Sequence, residues 1–511
     1  MSPRLANCAF FALLVALLVE ASIGKAQQPS TAPADQAPKT LSLAPIFSDH
    51  MVLQRDVKLP IWGKAAPGAK VNVQLGETKT EAAADESGKW RVHLEPLKSG
   101  GDPLKLTVTS GDESIHLGDI LVGEVWIASG QSNMEWPVTA SNDPEQEIAA
   151  ANFPDIRIID VPNVTADEPA DSFQSSGWKA VTPETIGNFS AVAYFFGRDL
   201  HEQLDVPIGL IGANWGGTPM EAWTSREALQ SSETFKEATA ASFAPPATTD
   251  VAEERKAMAA HLPARLFNGM LAPVIPYGIR GAIWYQGESN AGRHQQYAEL
   301  SKLMVTDWRT RFGLGDFPFL LVQLAAFDPG GQTNETWPPL REAQLETLEL
   351  PNVGMAVTTD VGNRTDIHPK DKQTVGKRLA LAARSIAYGE DVVYSGPVYR
   401  TMEIADGNVR LAFDHVGGGL KSGKIGLDGT LRGFVIAGAD GKFVPAEASI
   451  EGEQIVVSSE AVAEPRTVRY NWTGFPDGNL FNAEGLPATP FRTSKPEAAP
   501  AAAAPAASAA D

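Results

Sequence analysis

Residues 125–134 read Val-Trp-Ile-Ala-Ser-Gly-Gln-Ser-Asn-Met. Four apolar residues give way at once to small and polar ones, as a buried strand of a parallel sheet does where it ends in a loop. The same grammar recurs along the middle of the chain. The apolar run 208–213 leads into Asn214-Trp215-Gly216-Gly217-Thr218-Pro219, and 281–285 leads into Gln286-Gly287-Glu288-Ser289-Asn290. Residues 319–324 form another such run, and 354–359 precedes Asp360 and then Thr365-Asp366-Ile367-His368-Pro369. Helical patterns lie between them at 190–204, 295–312 and 339–350, and another comes after them at 372–388. In the last, Val375, Leu379, Ala382, Ala383 and Ile386 fall on one helical face. This alternation predicts an α/β fold with a parallel sheet covered on both faces. The Ala- and Glu-rich stretch 224–260 exceeds an ordinary connection and reads as a helical excursion from that sheet.

In open parallel sheets, ligands bind beyond the carboxyl ends of the strands. The strand ends here carry a serine (Ser132), a bare glycine pair (Gly216-Gly217), an amide (Asn290) and an Asp/His pair (Asp366, His368). Singly, each has an ordinary structural reading: a helix cap, a tight turn, another cap, a surface turn. Together, in this order and each at a strand end, they supply a nucleophile, oxyanion donors, and a base with an orienting carboxylate. Those are the parts of acyl transfer.

Outward from this zone the pattern changes. Residues 41–117 hold short β-like runs at 57–62, 70–75, 90–93 and 104–108, separated by the turns Pro67-Gly68, Ser87-Gly88 and Gly100-Gly101, which predicts a small antiparallel sandwich. Residues 392–493 repeat that character at 409–413, 433–437, 455–457 and 468–471. At the start, Arg4, the apolar run 9–19 and Gly24-Lys25-Ala26 read as a secretory signal peptide cleaved near Ala26, implying a secreted or periplasmic protein. The organisation expected is therefore a signal peptide at 1–26, a flexible linker at 27–40 and a β-sandwich domain at 41–118. A catalytic domain at 119–390, a β domain at 391–493 and an Ala/Pro-rich tail at 494–511 complete it.

Composition narrows the function. The 511 residues carry 42 Lys+Arg against 62 Asp+Glu, a net charge of −20 that repels phosphate backbones and disfavours nucleic-acid binding. The one cysteine, Cys8, falls in the removable leader, so neither disulfides nor a Cys-type zinc site is available and the nucleophile must be an oxygen. The eight histidines include no H-E-x-x-H and no close pair, against a metallohydrolase. No G-x-S-x-G surrounds Ser132, against an α/β-hydrolase, and no preferred carboxylate pair suggests a retaining glycosidase. No stretch outside the leader approaches the ~20 apolar residues of a transmembrane span. A non-catalytic carbohydrate-binding surface protein would suit the β zones, but it leaves the Ser/Gly/Asn/His set without a purpose.

Four blocks carry a resemblance. They are Gly123-Glu124-Val125-Trp126 running into Gly130-Gln131-Ser132-Asn133-Met134, and Trp215-Gly216-Gly217-Thr218-Pro219 with Glu221-Ala222-Trp223. The third joins Phe267-Asn268-Gly269-Met270 and Ala272-Pro273 to Trp284-Tyr285-Gln286-Gly287-Glu288-Ser289-Asn290, and the fourth is Asp366-Ile367-His368-Pro369 with Val375-Gly376 and Arg378-Leu379. The chain resembles the SGNH hydrolases, and within them the sialate O-acetylesterase branch. That branch is also echoed by Phe47-Ser48-Asp49, Met51-Val52-Leu53-Gln54 and Pro60-Ile61-Trp62-Gly63. The resemblance implies a three-layer α/β/α, flavodoxin-like catalytic domain flanked by β-sandwich-like domains, acting without metal or organic cofactor.

By the same resemblance Ser132 would be the nucleophile and His368 the base. The Ser132 and Gly217 N–H groups with the Asn290 amide would bind the oxyanion, Gly217 being preferred to Gly216. Many such enzymes place the carboxylate three residues before the histidine, where this chain has Thr365, so Asp366, Glu288 and Asp360 compete in that order. The substrate would be an acetylated carbohydrate: O-acetylated sialic acid foremost, or an acetylated polysaccharide such as xylan. Arg293 and Arg364, beside the expected site, are either cations for a sialic acid carboxylate or ordinary solvated charges.

Overall fold

The computed structural model describes residues 40–423 and 429–494. The expected signal peptide, all of the linker but Thr40, and all of the tail but Ser494 lie outside the described residues. The architecture is built on one strand of 18 residues, β1 (Glu113–Gly130). Its first part pairs antiparallel with Leu104–Ser110, its middle runs parallel to Val52–Gln54, and its last seven residues enter the central sheet. There it meets β2 (Phe153–Asp160), β3 (Lys179–Val181), β4 (Ile208–Asn214), β5 (Gly281–Tyr285), β6 (Phe319–Val322) and β7 (Val353–Ala356) in the order β3-β2-β4-β1-β5-β6-β7. These strands are parallel except β3, which pairs antiparallel with β2. The sheet as a whole is therefore mixed, because β1 is shared between a parallel and an antiparallel region, and it runs straight through the boundary expected at 118/119.

Strand periodicity sends alternate side chains to opposite faces. Trp126, Ala128, Ile283, Tyr285, Leu320 and Val322 join one apolar cluster with α2 (Ala191–Leu204) and α5 (Lys372–Ile386). Val125, Ile127, Ala282, Trp284, Phe319 and Leu321 join another with α3 (His294–Phe312) and α4 (Thr333–Glu346). On α5 the stripe expected from the sequence is the one that packs, Val375, Leu379, Ala382 and Ala383 being fully buried. Ser190 and Asp371 cap α2 and α5 by accepting the N–H groups of Ala193 and Thr374. The excursion is helical as expected, in three short helices at Arg226–Ser231, Lys236–Phe243 and Thr249–Ala257.

Three elements of this unit differ from the sequence reading. The strands β2 and β3 are absent from it, because Pro154, Asp155, Arg157 and Asp160 obscure the apolar run of β2. Arg157 is nevertheless buried, its guanidinium 2.6 Å from Asp119 and its Nε donating to Pro154 O. Helix α4 starts at Thr333, not 339, so Pro338 and Pro339 lie inside it. Its start is held from outside, Asn334 Oδ1 accepting from Gly474 N–H (2.8 Å) and Thr473 Oγ1 (2.7 Å).

On either side of the central sheet the chain is antiparallel β. Ser42–Leu43, Leu59–Lys64 and Lys89–Leu94 make one small sheet, and the hairpin Lys70–Leu75/Thr78–Ala83 extends through Leu104–Ser110 into β1. After α5, two four-stranded sheets and one strand pair enclose a third cluster that includes Val409, Leu411, Ile436, Ile455 and Tyr470. Two buried charges tie these regions to the centre. Glu124 of β1 accepts from Gln54, Arg55 and Arg280.

Arg341 of α4 has no solvent exposure and donates to four carbonyls: Leu324 and Ala325 after β6, and Thr473 and Gly474 of the C-terminal region, each at 2.8–2.9 Å. Burial without a carboxylate pushes its pKa down to about 9. Arg341→Met should leave those four oxygens dry, at about 1–3 kcal/mol for each that finds no other partner. Urea unfolding should therefore show a loss of at least about 3 kcal/mol. A loss below about 1 kcal/mol would mean that the carbonyls do not need the guanidinium.

Candidate active site

At the end of β1 the backbone is too crowded for a side chain. Gly130 has φ +139°, and a Cβ there would stand 2.2 Å from Tyr285 O. Gln131 N–H instead donates to that oxygen (3.0 Å), and Trp215 N–H, after β4, donates to Gly130 O (3.1 Å). The chain then turns, and Ser132 opens the short helix α1 (Ser132–Glu135), half-buried at the sheet rim. Its own N–H has no hydrogen-bond partner among the described residues.

His368 reaches Ser132 from the loop between β7 and α5, with Nε2 2.8 Å from Ser132 Oγ. Trp136 lies flat against the imidazole, centroids 4.7 Å apart and planes 14° from parallel, and its own Nε1 is tied to Ala140 O. Asp366 can approach the ring only if the loop curls, and Asn363 makes it curl by accepting the N–H groups of both Thr365 and Asp366 at 3.0 Å. Asp366 Oδ1 then accepts His368 N–H (2.9 Å) and stands 3.5 Å from Nδ1. That last distance is long for a hydrogen bond and is an ion-pair contact once the ring is charged. Burial, and then the Lys372 charge, lower the His368 pKa below its ordinary value against the opposing pull of Asp366, so the imidazole is neutral at neutral pH.

The two rival carboxylates are otherwise engaged. Asp360 forms a two-pronged pair with Arg378 (2.6 and 2.7 Å). Glu288 accepts from Asn133 Nδ2 (2.6 Å), and burial raises its pKa. Of the three, Asp366 is the one the structure brings to the histidine ring.

The groups expected as donors to the acyl oxygen differ in what they already bind. Asn290 is buried, with its orientation fixed: Oδ1 accepts Met220 N–H (3.0 Å) and Gln286 Nε2 (2.7 Å), and Nδ2 donates to Glu221 (2.9 Å) with one proton to spare. Gly216 lies against Ser132, where a Cβ would be 3.3 Å from Ser132 Cβ, but its N–H is committed to Glu135 (2.6 Å). Gly217, at φ +75°, keeps its N–H without a partner among the described residues. Between the two glycines the free donor is thus Gly217.

The sequence alone assigns no role to Glu135, Trp136, Asn133, Glu221 or Lys372. Only their positions in the quoted blocks (Asn133, Glu221) or close to them (Glu135, Trp136, Lys372) could have suggested one. Of the two arginines, Arg293 is half-exposed and bonded to Glu221 (2.9 Å), while Arg364 turns to Asp328 and the Phe475 ring.

Residues 122–385 match the family profile described as carbohydrate esterase, sialic acid-specific acetylesterase. The human sialate O-acetylesterase is 32% identical over 399 residues, 71% of this chain and 74% of that protein. The rat sialate O-acetylesterase is 30% identical over 513 residues, 88% and 93% of the two chains. Among solved structures, a carbohydrate acetylesterase from Xanthomonas citri superposes with a TM-score of 0.80 at 40% identity, covering 89% of this chain and 99% of its own.

The rate at which a fluorophosphonate labels Ser132 reads out the Ser132–His368 pair directly. Asp366→Asn should slow that labelling, by up to ~10⁴-fold if the imidazole adopts the wrong tautomer. Asp360→Asn, which weakens the Arg378 pair, should lower the melting temperature and leave labelling unslowed. Normal labelling of the Asp366 variant would remove Asp366 from the site.

Proposed function

The chain belongs to the sialic acid-specific acetylesterase family of carbohydrate esterases and is a carboxylic ester hydrolase, and from that premise we propose that it removes O-acetyl groups from carbohydrates, O-acetylated sialic acids foremost, through an acyl-enzyme on Ser132. The observation that carries the mechanism is the 2.8 Å contact between His368 Nε2 and Ser132 Oγ. In this reading His368 takes the serine proton as Oγ attacks the acetyl carbonyl carbon. The negative charge that develops on the carbonyl oxygen is met by the Ser132 and Gly217 N–H groups and the spare Asn290 Nδ2 proton. The imidazolium then protonates the departing sugar hydroxyl. Water then attacks the acyl carbon as His368 takes its proton, the bond to Ser132 Oγ breaks, and the imidazolium returns the proton to Oγ as acetate leaves. Asp366 keeps the Nδ1–H tautomer in place and offsets the imidazolium charge.

The catalytic part is read as a three-layer α/β/α unit spanning 119–390, which the alternation of strand side chains between two helix-lined clusters supports. The regions 41–118 and 391–493 are read as β domains beside it. Export, with a leader removed near Ala26, rests on the sequence of residues 1–26. A second substrate, an acetylated neutral polysaccharide such as xylan, is favoured by one observation: the half-exposed cation next to Asn290, Arg293, is already paired with Glu221. A purely carbohydrate-binding role leaves the Ser132–His368 pair without use.

Acetate release from a panel of acetylated sialic acids and polysaccharides tests the reading. Wild type should release acetate, Ser132→Ala should not, and Asn290→Ala should lose about 10²–10³-fold in kcat. Absence of Ser132-dependent release from every member of the panel would overturn it, and the member cleaved with the highest kcat/KM identifies the substrate class.

A further inference from the structure

Behind the Ser132–His368 pair lies a buried polar group that the acyl-transfer steps do not use. Lys372, the first residue of α5, has no solvent exposure, and its Nζ is 2.6 Å from Asn133 Oδ1. Asn133 is the residue after Ser132 in α1, and its Nδ2 donates both to Glu288 Oε1 (2.6 Å) and to Ile367 O (3.0 Å). Ile367 is the residue before His368. One amide therefore joins the helix of the serine, the loop after β5 and the loop of the histidine, and Lys372 holds that amide from its oxygen side. The ammonium also lies over the Tyr285 ring at 5.2 Å and the Trp136 ring at 5.8 Å, Trp136 being the ring stacked on His368.

A lysine in this place is expensive for the fold. Burial opposes the charge and lowers the Lys372 pKa to about 7, against the pull of Glu288, Asp366 and Asp371. An apolar side chain of similar length would avoid that cost but could not orient Asn133.

Resting on the reading of Ser132 and His368 as nucleophile and base, we propose that Lys372 is a positioning residue for both: through Asn133 it locks the serine helix to the histidine loop, and its charge faces His368. The charged groups facing His368 are Asp366 from its own loop and Lys372 from α5; Ser132 and Trp136 on the remaining sides are uncharged. Those facing Lys372 are Glu288 from the loop after β5, with Asp366 and Asp371 from the segment before α5. Below neutral pH the ammonium is charged and disfavours imidazolium. The base thus stays neutral to lower pH than burial alone would allow, and losing the ammonium should raise the His368 pKa and move the acid limb of kcat/KM upward.

Two variants separate the grip from the charge. Lys372→Gln keeps a donor for Asn133 without the charge, whereas Lys372→Met removes both. Acetate release by Lys372→Met should fall roughly 10²-fold in kcat with KM little changed, as a small misplacement of reacting groups commonly costs. Lys372→Gln should recover most of that kcat, and in both the acid limb should move to higher pH. Titration of ¹³C-labelled histidine, with the His368 signal assigned through His368→Gln, tracks the same shift without acetate release. If wild type released no acetate, the esterase reading would fall while the titration still decided the role of Lys372. A His368 midpoint that does not rise in Lys372→Gln overturns the proposal. Should neither variant fold, the wild-type His368 signal is followed above its own midpoint: a second step as the Lys372 ammonium loses its proton supports the proposal, and the absence of one overturns it.

Discussion

Where β1 leaves the sheet, the backbone of Gly130 passes so near β5 that a Cβ would stand 2.2 Å from Tyr285 O. Any side chain would force the two strands apart. Because none is present, Gln131 can close a hydrogen bond to that carbonyl and the next residue, Ser132, emerges at the rim with its N–H uncommitted among the described residues. The Gly130 carbonyl simultaneously receives Trp215 N–H, which draws the loop after β4 inward until Gly216 touches Ser132. Three loops thereby take their positions from one crowded backbone crossing. The unpartnered Ser132 and Gly217 N–H groups sit on two of those loops and the Asn290 amide on the third, so their placement follows the sheet, and the amide is further fixed by Met220, Gln286 and Glu221. That is the kind of preorganisation that lets dipoles act without rearranging during the reaction.

A second theme is the use of buried charge as a fastener. Glu124 gathers Gln54, Arg55 and Arg280 onto β1, Arg341 gathers four carbonyls from two regions, and Lys372 fixes Asn133. Each desolvated charge is costly alone and tolerable only when its bonding capacity is filled. Their locations are informative: each joins segments that are distant in sequence, where an apolar contact would permit sliding but a set of directed bonds does not. In a chain whose one cysteine falls in the predicted leader, no disulfide can serve that purpose. The Gln54–Glu124 contact also explains why Met51-Val52-Leu53-Gln54 and Gly123-Glu124-Val125-Trp126 both belong to the resemblance, since the first segment runs parallel to β1 and is bolted to it.

What was legible in the sequence was whatever local periodicity or strand-end order could encode. The five apolar runs became strands and the α5 stripe became a buried face, because continuous burial leaves a continuous trace. The strand β2 was hidden by Arg157, whose charge is answered by Asp119 in a distant part of the chain. Counting along the chain likewise ranks Asp366 ahead of Glu288 and Asp360 but supplies no contact that separates them. The choice depends on Asn363 curling the loop and on Arg378 and Asn133 engaging the other two, and these are contacts through space. Lys372 opens the helical pattern 372–388 just after Lys370-Asp371, where its charge gives no sign of burial. Only the packing of α5 against the sheet turns its side chain into the interior.

The same spatial logic bears on how charge reaches the reacting oxygen. Glu221 holds Arg293 with one carboxylate oxygen and the Asn290 amide with the other. The half-exposed guanidinium and the buried Asn290 amide are therefore linked through a single side chain. An anionic group arriving at Arg293 competes with Glu221 for the guanidinium. Electron density withdrawn from, or returned to, that carboxylate changes how strongly it binds the Asn290 Nδ2 proton on its side, and hence how that amide is held for its other proton. In a protein with a net charge of −20, long-range attraction of anions is weak, so discrimination between charged and neutral substrates has to be local. The Arg293–Glu221–Asn290 chain is the part of this rim where a half-exposed cation and a buried amide share one carboxylate.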